Sequence, residues 1–128
     1  MKNMILLFSH KLSETQIKQA REIHNVENFI SLPQELQTSW SNISPDLESI
    51  IPTIEPIKEF LGSVAKQGDF VLIQGDFGAV YTLVQFCKEN NLTPLYATTK
   101  RRINESINQK GEEVKTSIFE HVRFREYE

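Results

Sequence analysis

The sequence predicts an α/β domain of Rossmann-like type: a mostly parallel sheet flanked by helices, with a C-terminal antiparallel hairpin or meander. Three observations lead there. Short continuous apolar runs recur along the chain (MILLF, NFISL, FVLI, PLYA), each too short for a helix and bounded by polar or turn residues. Segments with helical spacing separate them. After residue 102 the helical spacing stops and alternation of apolar and polar residues takes over.

The elements follow in order. MILLFSH (4–10) reads as a buried parallel strand. Ser13 and Gln16 have capping-box spacing, and Ile17, Ala20 and Ile23 continue as a helix that Asn25 ends. NFISL (28–32) is a second strand, stopped by Pro33. PQELQTSW fits two turns of helix with Pro33 at the first position, and SNISPD is a loop. A helix after Pro56 puts Ile57, Phe60, Leu61 and Val64 on one face. Gly68-Asp69 turns the chain into the strand FVLIQ. A helix from Phe77 to Glu89 turns Val80, Leu83, Val84 and Cys87 inward, and Asn90-Asn91 closes it. TPLYATT (93–99) is the next strand. Ile103, Glu105 and Ile107, then Val114, Thr116 and Ile118, alternate about a Lys110-Gly111 turn. A length of 128 residues without repeats or linkers makes residues 1–128 one domain.

Bulk properties narrow the function. Hydrophobic and charged contents of 39% and 24% are those of an ordinary globule. A net charge of −3 argues against a partner such as duplex DNA but leaves room for a local basic cluster. One cysteine and three scattered histidines supply neither a disulfide framework nor metal-ligand spacing, so no metal or other cofactor is expected. The apolar start is too short for a secretory leader and lacks a cleavage site, and no run approaches membrane-spanning length, so the expectation is a cytoplasmic protein.

Ligands of such sheets bind beyond the carboxyl ends of the strands. FSH, QGDFGA and ATTKRR each follow an apolar strand and are expected to gather on that rim. Asp76-Phe77-Gly78 resembles a kinase magnesium motif, but the catalytic-loop pattern is missing and the chain is about half a kinase domain. Gly75 to Ala79 sit where a strand turns into a helix, so Gly75 and Gly78 allow close backbone approach and the helix amides suit an anion. The plainer reading is that Asp76 caps the helix and Gly78 relieves crowding. Thr98, Thr99, Lys100, Arg101 and Arg102 form either a phosphate-contacting group or a solvated basic turn. Ser9 and His10 end the first strand, where His10 can contact ligand and move a proton near neutral pH. Trp40, beside Asn42, either packs on the domain or stacks on a base. Glu105 lies close enough in sequence to orient the basic cluster. His24 and His121 read as surface residues, and Cys87 as core. A metal site from Asp69, Asp76 and Glu105 is disfavoured, because Asp69 precedes its strand and belongs at the opposite sheet edge.

The segments LLFSHKLSETQ, WSNISPD, LIQGDFGAVY, YATTKRR and FEHVRFREY, in this order and spacing, resemble a small family of stand-alone CRISPR-associated ring nucleases of type III systems. These are related in fold to CRISPR-associated Rossmann sensor (CARF) domains. The resemblance implies a cyclic oligoadenylate ligand, most of all the four-membered ring, cleaved without metal by a homodimer. It implies a ribose 2′-hydroxyl attacking the adjacent phosphorus, with His10 for proton transfer and Lys100 and Arg101 for charge. Ser9, Gly75, Asp76, Phe77, Gly78, Ala79, Thr98, Thr99, Trp40, Asn42 and Glu105 then surround the substrate. Binding the ring without cutting it is the alternative.

Overall fold

The sheet of the computed structural model, which describes residues 2–128, explains why the apolar runs are continuous. Its five strands lie in the order β2-β1-β3-β4-β5, with β1 (Lys2–Leu7), β2 (Val26–Ser31), β3 (Phe70–Ile73), β4 (Thr93–Ile107) and β5 (Glu113–Glu126). The first four run parallel, and β5 returns antiparallel to β4. Helix α1 (Glu14–His24) covers one face of the sheet. Helices α2 (Gln34–Ser41), α3 (Ile51–Val64) and α4 (Phe77–Glu89) cover the other. A central strand is therefore apolar on both sides. In β1, Met4 faces α1 while Ile5 and Leu7 face the other helices, and in β3 all four residues are buried. Each such large side chain contributes roughly 1.5–3 kcal/mol by leaving water.

Local signals set most boundaries. At the start of α1, the Ser13 hydroxyl accepts from the Gln16 amide while the Gln16 side chain accepts from the Ser13 amide, so the capping box is complete. Asn25 ends the helix in the left-handed region (φ 56°). Ile23, expected inward, is exposed, because α1 is narrow on its buried side and rests mainly on Ala20 and Gln16. Pro33 is the N-cap of α2 rather than its first residue, so the helix begins one residue later than expected. Helix α3 begins at Ile51, five residues ahead of the Pro56 after which it was expected, and carries Pro56 inside it. Pro56 gives no N–H to the carbonyl of Pro52, but both prolines are exposed and water can take that carbonyl. The Phe77–Glu89 helix and Cys87 in the core are as expected, and burial raises the Cys87 thiol pKa to about 12.

The largest departure is β4. The strand does not stop at Thr99 but runs on to Ile107, and β5 follows it out. Residues 99–107 and 113–121 form a two-stranded ribbon that projects beyond the sheet by about 30 Å at the usual strand rise. The hairpin turn is held by the Asn108 side chain, which accepts from the Lys110 and Glu112 amides, and by Gly111 at φ 76°.

A register shift aims the ribbon. Thr98 pairs with Arg123, but Thr99 pairs with His121, which leaves Val122 as the extra residue of a bulge. Gln19 of α1 grips this bulge: its Nε2 donates to the Val122 carbonyl (2.8 Å), and its Oε1 lies 2.7 Å from His121 Nε2. His121 and His24 are half-buried against Phe124, and His24 also meets the Phe70 edge. Both were expected at the surface; the bulge and the end of α1 turn them inward instead. Burial lowers both pKa values, an effect that Glu126 partly offsets at His24.

At the amino edge of the sheet, Asp69 is buried and accepts from the Lys66 amide (2.8 Å), the Asn3 amide (3.1 Å) and the Asn3 side chain (3.4 Å). It ties the start of β3 to β1. Asp69→Ala strands these donors, and a loss of about 1–3 kcal/mol in urea unfolding is expected. A pH series checks the histidines. Their folded-state pKa values lie below the ordinary 6.5, so the unfolded chain takes up protons first. Their contribution is complete above that pH and lost as pH falls through the lowered values. The urea midpoint is expected to drop between about pH 7.5 and 5.5, and His121→Gln to flatten the drop.

Candidate functional site

Strand order makes one end of this sheet special. The chain leaves β1 toward β2 on one side and reaches β3 on the other, so the connections diverge at the carboxyl ends of β1 and β3. Phe8-Ser9-His10 and Gln74-Gly75-Asp76 emerge there. Ala97 stands level with them, its amide donating 2.7 Å to the Gln74 side chain. The FSH and QGDFGA segments therefore share a rim as expected. ATTKRR joins it only at its beginning: Ala97 and Thr98 lie at the rim, and Lys100 to Arg102 continue up the ribbon.

Trp40 decides what the Gly75 turn is for. Its indole is 2% exposed and donates from Nε1 to the Gln74 carbonyl at 3.1 Å. A Cβ on Gly75 would stand 3.0 Å from the Trp40 ring. Gly75 is thus bare because the indole lies against it, and Trp40 has no face free for a base; the stacking expectation is corrected. Asp76 caps α4, accepting from the Ala79 amide at 3.1 Å, and Ala79 is fully buried beneath it. A Cβ on Gly78 would meet Ile50 and Asp76 at 3.4 and 3.5 Å. Gly75 thus answers to a protein neighbour, a Cβ on Gly78 would make only ordinary contacts, and the helix terminus already holds a carboxylate. The Phe77 side chain is thrust outward, 94% exposed.

An open cleft of about 610 Å³ lies on the β2 side of the rim, between the start of α1 and helix α2. Phe8, Leu12, Ile17 and Phe29 form its apolar wall. Ser9, His10, Lys11, Gln37, Thr38 and Ser41 supply polar groups. They are partly wired together: Gln37 Nε2 donates to the Phe8 carbonyl (3.1 Å) and to Ser41 Oγ (3.0 Å), and Ser41 Oγ lies 3.0 Å from Ser9 Oγ. The His10 ring is exposed and meets Phe8 edge-on at 5.4 Å. A cleft with an apolar wall, hydroxyls and the Lys11 ammonium suits a small anionic ligand with a flat apolar part. Gln37, Thr38, Ser41 and Lys11 were missed in the sequence. Pro33 gave the signal: a helix opening directly after β2 must overlook the carboxyl ends of β1 and β2.

The basic cluster is dispersed. Successive strand residues face opposite ways, so Lys100 and Arg102 lie on one face of the ribbon and Arg101 on the other. Arg101 donates to Ser117 Oγ at 3.1 and 3.0 Å, and Arg102 pairs with Glu120 at 3.2 Å. Glu105 does not orient the cluster; it sits further out and faces Lys115 at 3.7 Å. Thr98 Oγ1 is engaged across the strands with Arg123 (3.1 Å), whereas Thr99 is exposed. Asn42 ends α2, its side chain donating to the Thr38 carbonyl. Asp69 and Asp76 occupy opposite ends of β3, and among the described residues no group of three or more metal-ligating side chains gathers.

Gly75→Ala tests the indole contact. The new methyl must displace a ring held on its far side by the core, and a loss of about 1–3 kcal/mol in denaturant unfolding is expected, with a red-shifted Trp40 emission.

A family model described as "Uncharacterized protein MJ1673 family" matches residues 2–125, which include both the sheet and the ribbon. "Uncharacterized protein MJ1673" of Methanocaldococcus jannaschii is 52% identical over 127 residues, covering 99% of this chain and 98% of that protein. No solved structure matches the chain. With one model spanning nearly its whole length and a relative this similar along its whole length, the chain belongs to the MJ1673 family.

Proposed function

We propose that the protein is a metal-independent ring nuclease for cyclic oligoadenylate, with the four-membered ring as substrate, and that it ends a type III CRISPR signal in the cytoplasm. The observation that carries the reading is the cleft at the carboxyl rim, with His10 at its mouth and an apolar wall beside it. The sequence resemblance to ring nucleases supports it independently.

The chemistry asks for few groups. The ribose 2′-oxygen attacks the adjacent phosphorus in line with the leaving 5′-oxygen. The P–O5′ bond breaks, leaving a 2′,3′-cyclic phosphate and a 5′-hydroxyl. His10 takes the 2′-proton, while the 5′-oxygen, leaving on the opposite side of the phosphorus, takes its proton from water, and the imidazolium then releases its proton to solvent. Lys11, in the wall of the cleft, stabilises charge on the phosphoryl oxygens. Lys100 and Arg101 drop to a lesser role, since both stand on the ribbon and neither lines the cleft. A ring on a two-fold axis offers equivalent phosphodiesters to two subunits, so a homodimer yields two linear dinucleotides.

The dispersal of Lys100 and Arg101 favours a second reading, in which the protein binds the ring and leaves it intact. One experiment separates the two. Radiolabelled cyclic tetra-adenylate is incubated with the protein in excess chelator, and the products are resolved by chromatography. Linear di-adenylate ending in a cyclic phosphate is expected, with His10→Ala slowing its appearance by about 10²–10⁴-fold while the fold is kept. An intact ring recovered from a stable complex establishes the second reading. A ring neither bound nor cut refutes both.

A further inference from the structure

The ribbon has no visible reason to hold its shape. A two-stranded hairpin alone is marginal in water, and this one leaves the body of the protein after the Val122 bulge. Yet its two faces differ. The face carrying Lys100 and Arg102 is finished for solvent, with the Arg102–Glu120 ion pair across it and Ile118 as its largest exposed apolar group. The opposite face continues from His121 and carries Ile103, Ile107 and Phe119, which are 56%, 74% and 69% exposed. Three large apolar side chains on one face of a projecting arm mark a surface that something covers.

We infer that a second copy of this chain covers it, the two ribbons stacking face to face, antiparallel, about a two-fold axis through Ile103. The contact extends the dimer of the preceding reading, but its argument uses the ribbon alone and needs no ligand.

The charge pattern identifies the occupant. On this face Arg101 and Glu105 stand two residues either side of Ile103 on β4. On β5, Phe119 and Lys115 flank Ser117, the residue paired with Ile103. Antiparallel stacking on that centre sets Ile103 over its own counterpart. It sets Arg101 over the second copy's Glu105, and Phe119 under the second copy's Lys115 as a cation–π pair. One step further out, Ile107 meets Thr99. No like charges meet. Centring the axis on Arg101 or on Glu105 instead places each of them against itself, and the neighbouring half-step toward Glu105 sets that carboxylate on Ile103. The pattern thus favours one register and penalises its neighbours. The ribbons lie about 10 Å apart, the usual spacing of stacked sheets. Glu105, already 3.7 Å from its own Lys115, gains a second cation from the partner copy.

Charge reversal tests the pairing by sedimentation equilibrium of the full chain. The wild type is expected to dimerise at micromolar concentration. Arg101→Glu and Glu105→Arg each place like charges in contact, and each is expected to raise the dimer dissociation constant about tenfold or more. The double variant Arg101→Glu/Glu105→Arg restores both pairs and is expected to return the constant to within about threefold of wild type. All these side chains are exposed, so the variants should fold, and circular dichroism confirms it. A wild type that stays monomeric at high concentration overturns the inference. So do single variants that dimerise as tightly as wild type, which would put the interface elsewhere, and a double variant no better than the singles. Ring cleavage by a monomer, or loss of cleavage without loss of dimer, separates this outcome from that of the proposed activity.

Discussion

Gln74 is the point on which the carboxyl edge of this molecule depends. Its amide donates to the Leu7 carbonyl, its carbonyl accepts from the Trp40 indole, and its side-chain oxygen accepts from the Ala97 amide. One residue thereby joins β1, α2, β3 and β4 just where regular pairing between the parallel strands runs out. Backbone groups at the ends of parallel strands would otherwise compete with water. With that junction satisfied, Trp40 can lie flat on Gly75, α2 can cross the rim, and its other side can form a wall of the cleft. The site's geometry follows from how the sheet is finished.

That dependence also explains which features were legible in the sequence. The strands and most of the helices were, because burial on both faces demands continuous apolar runs and a capping box has fixed spacing. The length of β4 was not. Thr98 to Ile107 lacks a buried face, so the apolar signal disappears although the hydrogen-bond ladder persists. The start of α3 was hidden by Pro56, which argues against a helix by local rules and is tolerated because its neighbourhood is wet. At the site, the rim position of Ser9-His10 and Gln74-Gly75 followed from strand order. The roles of Gly75 and Trp40 did not, since a glycine cleared for a ligand and one cleared for an indole are written identically. The basic cluster misled for a related reason: five consecutive polar residues look like a patch, but on a strand they divide between two faces.

The cleft and the ribbon stand on different footings. The cleft is part of the body: its walls are the start of α1, the end of β1 and one side of α2, all anchored in the core. The ribbon is joined to the body by β4 and β5 themselves and by the grip of Gln19 on the Val122 bulge. Its stability must come from cross-strand pairs and from whatever rests on Ile103, Ile107 and Phe119. A pocket anchored in the core beside an arm that projects from it means that substitutions on the ribbon leave the walls of the cleft unchanged, and the reverse.

The Val122 bulge has a consequence for how such arms can change over evolutionary time. Side chains alternate between faces, so inserting or deleting one residue anywhere between the bulge and the tip exchanges the apolar and the solvent face of that strand. Changes of two residues in each strand leave every remaining side chain where it was and only lengthen or shorten the arm by about 7 Å. Arm length in descendants of this chain is therefore quantised, with even steps open to drift and odd steps closed.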